Sequence, residues 1–249
     1  MLETLTALKR KRTQILAANL GYFLVLLALS FFLFFRSRSI AVYVAGLAAL
    51  AVYLLLIRPM TGNYKKALRG AILRYGVCDG MTDFSYAPRE GFKASDLITS
   101  GMVNTVSDKA FLSREKVTAR RGALQLEMAD VTFPIRERGL NAMSSGLFIR
   151  IFHPGASFPE LMIRAGQLDD LPLEGKALSL LKEMASFVPG NLYLNTAGDV
   201  LYVFFRGRFA GFKLNPLLEL TENTLRANPL PEADQSLRLA KILAQTERA

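Results

Sequence analysis

The run ILAANLGYFLVLLALSFFLFF at residues 15–35, followed after Arg36-Ser37-Arg38-Ser39 by IAVYVAGLAALAVYLLLI at residues 40–57, decides how the rest of the chain is read. Neither run holds a charged residue. As helices rising about 1.5 Å per residue they would extend roughly 31 and 27 Å, close to the ~30 Å of a bilayer's hydrocarbon core. Two such helices joined by four residues must run antiparallel, so the expectation is a transmembrane hairpin. That geometry sets Phe34 beside Ala41, Ser30 beside Ala45 and Leu26 beside Ala49, large residues against small. The alanine stripe lets a neighbouring helix come close, within the hairpin or, as the rival use, between two copies. Asn19 is near the cytoplasmic end, within reach of headgroup water, and takes no role.

The formal net charge of +10 would point to nucleic acid if it were spread over the chain. It is not. Residues 1–60 carry seven Lys/Arg and one acid, whereas residues 61–249 carry 24 and 20. Lys9, Arg10, Lys11 and Arg12 precede the first run, and Arg58, Lys65, Lys66, Arg69 and Arg74 follow the second, against two arginines in the turn. The positive-inside rule then puts both flanks, and the large remainder, on the cytoplasmic side. Lys9, Arg10, Lys11, Arg12, Lys65, Lys66 and Arg69 become candidate membrane-surface contacts, each gaining about 1 kcal/mol near anionic headgroups. A cleaved signal peptide fits poorly, because the first run exceeds the usual apolar core of about 7–15 residues and no small-residue cleavage site follows it.

Residues 1–60 therefore read as a basic N-terminus and membrane hairpin, and 61–249 as one cytoplasmic domain. Pro59 and Gly62 are expected to punctuate the exit from the membrane. Tyr64, Leu68, Ala71, Ile72 and Tyr75 then recur at helical spacing, giving an amphipathic helix that ends near residues 76–80 and either joins the domain or lies along the headgroups. Beyond it, short β-like runs occupy residues 83–86, 116–120, 124–134, 147–152, 161–165, 192–195 and 200–206. Arg121-Gly122 and Thr196-Ala197-Gly198-Asp199 read as hairpin turns, and His153-Pro154-Gly155 ends the fourth run. In the third run Leu124, Leu126 and Met128 alternate while Val131 and Phe133 fall out of frame, which a bulge near Ala129-Asp130 would reconcile. Helical patterns at 94–102, 173–187 and 231–249 complete a mixed, mainly antiparallel α+β domain.

Two membrane runs and a basic helix precede Leu126-Glu127-Met128-Ala129-Asp130-Val131 and Ser145-Gly146-Leu147-Phe148-Ile149-Arg150. A helix through Leu180-Leu181-Lys182-Glu183-Met184 follows, and then the hairpin Leu192-Tyr193-Leu194 to Leu201-Tyr202-Val203-Phe204-Phe205. This order, over about residues 15–215, resembles the DUF3137 family of uncharacterised bacterial membrane proteins. The resemblance implies a membrane location, this architecture and an association with LemA-like membrane proteins, and supplies no catalytic residues.

Chemical motifs are sparse. Cys78 and His153 are the only cysteine and histidine, which excludes an intramolecular disulfide and a Cys/His zinc cage. No phosphate-binding glycine motif is present, and no cofactor is expected. Glu127 and Asp130 form the best-placed acid pair, with two water-facing strand acids as the bland alternative. His153 lacks a nucleophilic partner and reads as a turn residue. Cys78 has Arg74 four residues before it, which favours a thiolate, against the ordinary reading of an inert packing residue. Arg206, Arg208 and Lys213, interleaved with Phe205, Phe209 and Phe212, are the candidate anion or lipid contacts. Their bland reading is a strand leaving a core with solvated arginines. The expectation is a non-enzymatic, membrane-anchored, cytoplasmic-facing interaction protein that touches membrane lipids and binds another membrane or membrane-proximal protein. The alternatives are a membrane-bound enzyme acting on a lipid or envelope precursor through Glu127, Asp130 or His153, and a sensor of anionic ligands.

Overall fold

The computed structural model describes residues 1–35, 40–103, 106, 108–137, 140–164, 167–168, 173, 175–212, 214 and 219–246. The expected turn Arg36-Ser37-Arg38-Ser39 and Lys213 lie outside them, as do the side chains of Phe34 and Ala41. The chain forms two compact units, residues 1–73 with 214–227 and residues 74–213 with 228–249.

The first unit is helical. Helix α1 (Leu2–Phe35) is followed by α2 (Ile40–Val52), a π-helical turn (Tyr53–Ile57) and α3 (Arg58–Ile72), which continues into a second π turn (Leu73–Val77). Two helices are long and apolar enough to cross a membrane. Only 6% and 11% of their apolar windows is buried, the reverse of a core helix, and Leu20, Phe23, Leu24, Val44, Leu47 and Leu55 point outward. The register that sets Leu26 beside Ala49 also sets Tyr22 beside Tyr53, and these rings stack with centroids 5.0 Å apart. Ala49 is buried, as a small residue at the hairpin seam must be for the helices to approach.

Pro59 and Gly62 do not interrupt the second helix, contrary to the sequence expectation. Pro59 sits at the first turn of α3 directly after the π turn, where the Arg58 amide reaches back to the carbonyl of Tyr53. That widened turn accommodates the proline ring where a regular helix would clash with it. The expected amphipathic face is present, with Tyr64, Leu68, Ala71 and Ile72 buried. It packs on α1 and on the short helix α6 (Glu222–Arg226) rather than on headgroups. Thr221 caps α6 by accepting the Thr224 amide at 3.2 Å, and Leu225 fills its inner side.

The second unit is α+β. Strands β1 (Thr82–Ala87), β2 (Leu112–Arg121), β3 (Leu124–Glu137), β4 (Leu140–Phe152), β5 (Met162–Ile163), β6 (Leu192–Ala197) and β7 (Val200–Arg206) form one sheet in the order β1-β2-β3-β4-β7-β6-β5, every pair antiparallel. All seven expected strands are present. Gly122 and Gly198 take φ of +61° in the two-residue turns after β2 and β6, a conformation that favours glycine. Helices α4 (Ala94–Thr99), α5 (Gly175–Phe187) and α7 (Pro231–Thr246) fall where the periodicity placed them.

The bulge expected on β3 is absent from that strand. Its pairing with β4 is unbroken from Gln125↔Phe152 to Glu137↔Leu140, and the irregularity lies on β2, where Glu115 has φ +63°. The change of frame has another cause: both faces of the sheet are buried. Leu126 and Met128 share one face with Leu147, Ile149, Val203 and Phe205, all fully buried, and α7, which packs on α5, covers β4 from this side. Ala129, Val131 and Phe133 face the other way and join Phe148, Tyr202 and Phe204 in a cluster capped by Phe92 and Leu97 from the segment containing α4. Phe92 meets Phe148 edge to face at 4.9 Å.

Candidate functional site

The unbroken register of β3 separates the acid pair, since residues three apart on a regular strand face opposite sides. Glu127 accepts both Nε and Nη2 of Arg150, its partner across the β3–β4 ladder. The third arm of Arg150 donates from Nη1 to Asp96 at 3.0 Å, and the guanidinium lies 5.2 Å above the Phe92 ring. The other oxygen of Asp96 accepts the Lys93 amide at the start of α4. Arg150 joins a carboxylate on β3 to one on α4, so the cluster fastens α4 to the sheet.

Asp130 lies on the opposite face and accepts the backbone amides of Ala210 and Gly211, the latter at 3.0 Å. Burial pushes its carboxyl up to about 6, while those two amides pull it back down; Glu115 adds to the rise and Arg114 opposes it. The Cys78 thiol is pushed up to about 12 by burial, and Arg121 offsets little of that. The thiolate favoured by Arg74 is therefore not formed: that guanidinium lies over the Tyr75 and Phe84 rings instead. His153 sits in its turn with its ring edge-on to Phe158, centroids 6.5 Å apart, and its amide on the Asp199 carbonyl.

Phe205 is fully buried in the sheet core and so cannot stack on a ligand beside Arg206 and Arg208. Arg208 instead holds Glu232, a fully buried carboxylate in the first turn of α7. No group of three or more His, Cys, Asp or Glu side chains assembles among the described residues.

Convergence occurs in the first unit. On α1, Arg12, Ile15, Leu16 and Asn19 follow i, i+3, i+4, i+7 spacing, as do Arg58, Thr61, Gly62 and Lys65 on α3, so each set forms one helical face. These faces enclose a cleft of about 610 Å³, completed by Tyr53 and Tyr64. Arg12 interacts electrostatically with the Tyr64 hydroxyl. Thr61 donates to the Ile57 carbonyl at 3.0 Å and the Asn19 amide to the Ile15 carbonyl at 2.8 Å, which commits both to their own helices. The cleft is therefore lined by three cations, a tyrosine hydroxyl and the apolar side chains of Ile15, Leu16 and Tyr53.

Arg12 and Lys65 were among the expected membrane-surface residues and are brought together here, whereas Lys9, Arg10 and Lys11 are exposed elsewhere on α1. Arg58, Thr61, Gly62 and Tyr64 were missed as site residues. The signal was present: extending the hairpin register past the apolar runs sets Arg12 opposite the Thr61–Lys65 turn. No family model, no curated protein and no solved structure matches the chain.

Proposed function

We propose that the protein is a non-enzymatic bacterial inner-membrane protein, anchored by the α1–α2 hairpin with its N-terminus and its α+β unit on the cytoplasmic side, where that unit binds another membrane or membrane-proximal protein. The observation that carries this reading is the pairing of an outward-facing apolar hairpin surface with basic residues concentrated beyond both open ends of the hairpin. Confinement to a thin layer raises the effective concentration of the tethered unit towards other confined proteins, so a weak contact suffices. Membership of DUF3137 and a LemA-like partner belong to this proposal.

The test uses the full chain in native membranes. Protease added to sealed inverted vesicles is expected to digest residues 74–249, and protease added to intact spheroplasts to spare them. Crosslinking in the same vesicles is expected to recover one reproducible membrane-protein partner. Digestion in spheroplasts, or turnover of a lipid precursor by a chain that recovers no partner, contradicts the proposal.

A further inference from the structure

We propose that the pocket at the β5 edge of the sheet binds the C-terminal residue of the partner protein, its carboxylate on Arg164 and its aliphatic side chain against Met102, Val103 and Tyr193. This rests on the partner reading above and deepens it by naming the site and the chemistry it recognises.

The pocket is framed by the fold itself. It has a volume of about 200 Å³ and lies between β5 and β6 on one side and the turn after α4 on the other. Asn195 on β6 donates from its side-chain amide to the Ser100 carbonyl at 2.7 Å, which ties that turn to the sheet. Gly101 takes φ +68° there, and a Cβ on it would stand 2.8 Å from the same amide nitrogen, so glycine is what lets the turn come this close. Met102, Val103 and Tyr193 line the pocket as the margin of the apolar cluster around Phe148 and Phe204.

Charge decides what the pocket takes. Leu161 and Ile163 are buried while Met162 and Arg164 are exposed, so strand alternation puts Arg164 on the same side as Met162, whose methyl lies 3.9 Å from that Cβ position on Gly101. Among the described residues no carboxylate pairs with Arg164 and none lines the pocket. A guanidinium presents paired N–H donors that fit a carboxylate. Beside an aliphatic pocket, that donor set matches an apolar residue that ends a chain.

Position favours a chain end over a free acid. Strand β5 is the outermost strand, two residues long and paired with β6 alone. The Thr196 amide donates to the Leu161 carbonyl at 3.1 Å, which sets the phase of the ladder: Leu161 and Ile163 turn their backbone groups to β6, and Met162 turns its N–H and C=O outward. An extended segment running parallel to β5 adds there as the next strand and brings its last residue level with Arg164. The volume is below the ~300–1,000 Å³ of small-molecule sites and suits one side chain.

The test is fluorescence anisotropy of a fluorescein-labelled hexapeptide of alternating threonine and valine ending in leucine, titrated with the full chain in detergent micelles. Saturable binding is expected for the free C-terminus. Converting that terminus to the amide should weaken binding about tenfold, the factor that one charge-assisted hydrogen bond is worth. Arg164→Gln should do the same, whereas Arg89→Gln, an equal loss of charge at another exposed arginine, should change nothing. Met162→Pro removes the outward N–H at an edge position that tolerates proline, and should weaken binding with the circular dichroism unchanged. An equal amount of 4-methylpentanoate, which is leucine without its amino group, should not displace the peptide. Absence of saturable binding, equal binding of acid and amide, equal losses in Arg164→Gln and Arg89→Gln, full binding by Met162→Pro, or displacement by 4-methylpentanoate would each overturn the proposal. Crosslinking in native vesicles separates the two readings. A partner recovered equally by the wild type and by Arg164→Gln refutes this site alone, and a wild-type chain that recovers none refutes the partner reading itself.

Discussion

Asp130 shows how a single carboxyl trades burial against hydrogen bonding. Its two backbone partners hold the segment around Ala210 against the sheet, yet desolvation still leaves it titrating near 6, above the ordinary 3.8. The folded chain therefore binds this proton more tightly than the unfolded one. The group's contribution to stability is fully present below about pH 4 and is lost as pH rises through about 6. Denaturation of the full chain and of Asp130→Asn, compared from pH 4 to 7, should show the wild type losing on the order of 2 kcal/mol relative to the variant. Parallel curves would refute this assignment. Nothing in the residue order announced it: Leu126-Glu127-Met128-Ala129-Asp130 does not reveal that an amide pair eighty residues away will meet the aspartate.

At the scale of elements, the strands were legible because each short apolar run ends in glycine, proline or aspartate, and the turns at Gly122 and Gly198 need the left-handed backbone that glycine adopts. The bulge was misplaced because alternation reports burial on one face, whereas β3 is buried on both. Helix α6 escaped notice for a different reason: at five residues it has too few turns to show a period, and only its Thr221 cap marks it. The attachment of α4 was also invisible, since it rests on Arg150 joining Glu127 in β3 to Asp96 in the helix. Arg150→Met should cost roughly 2–3 kcal/mol in a chemical melt, because it strands two half-buried carboxylates. Replacing all three groups together by apolar residues should cost less than the single change, and a larger loss in the triple variant would contradict the account.

At the scale of the whole molecule, two apolar runs and the asymmetric distribution of charge carry most of what can be said about place, and little of what can be said about chemistry. The hairpin was plain from residues 15–57, but the cleft at its foot needed the helices to continue: α1 starts at Leu2 and the second helix runs on through Pro59 to Val77. The decisive measurement is sedimentation of the untagged full chain after alkaline carbonate washing of its host membranes. The account predicts that it stays in the pellet and is released only by detergent, because large apolar side chains such as Leu20, Phe23, Leu47 and Leu55 are mostly exposed on the outside of the hairpin. Recovery of a folded, monomeric chain in the detergent-free supernatant would contradict it.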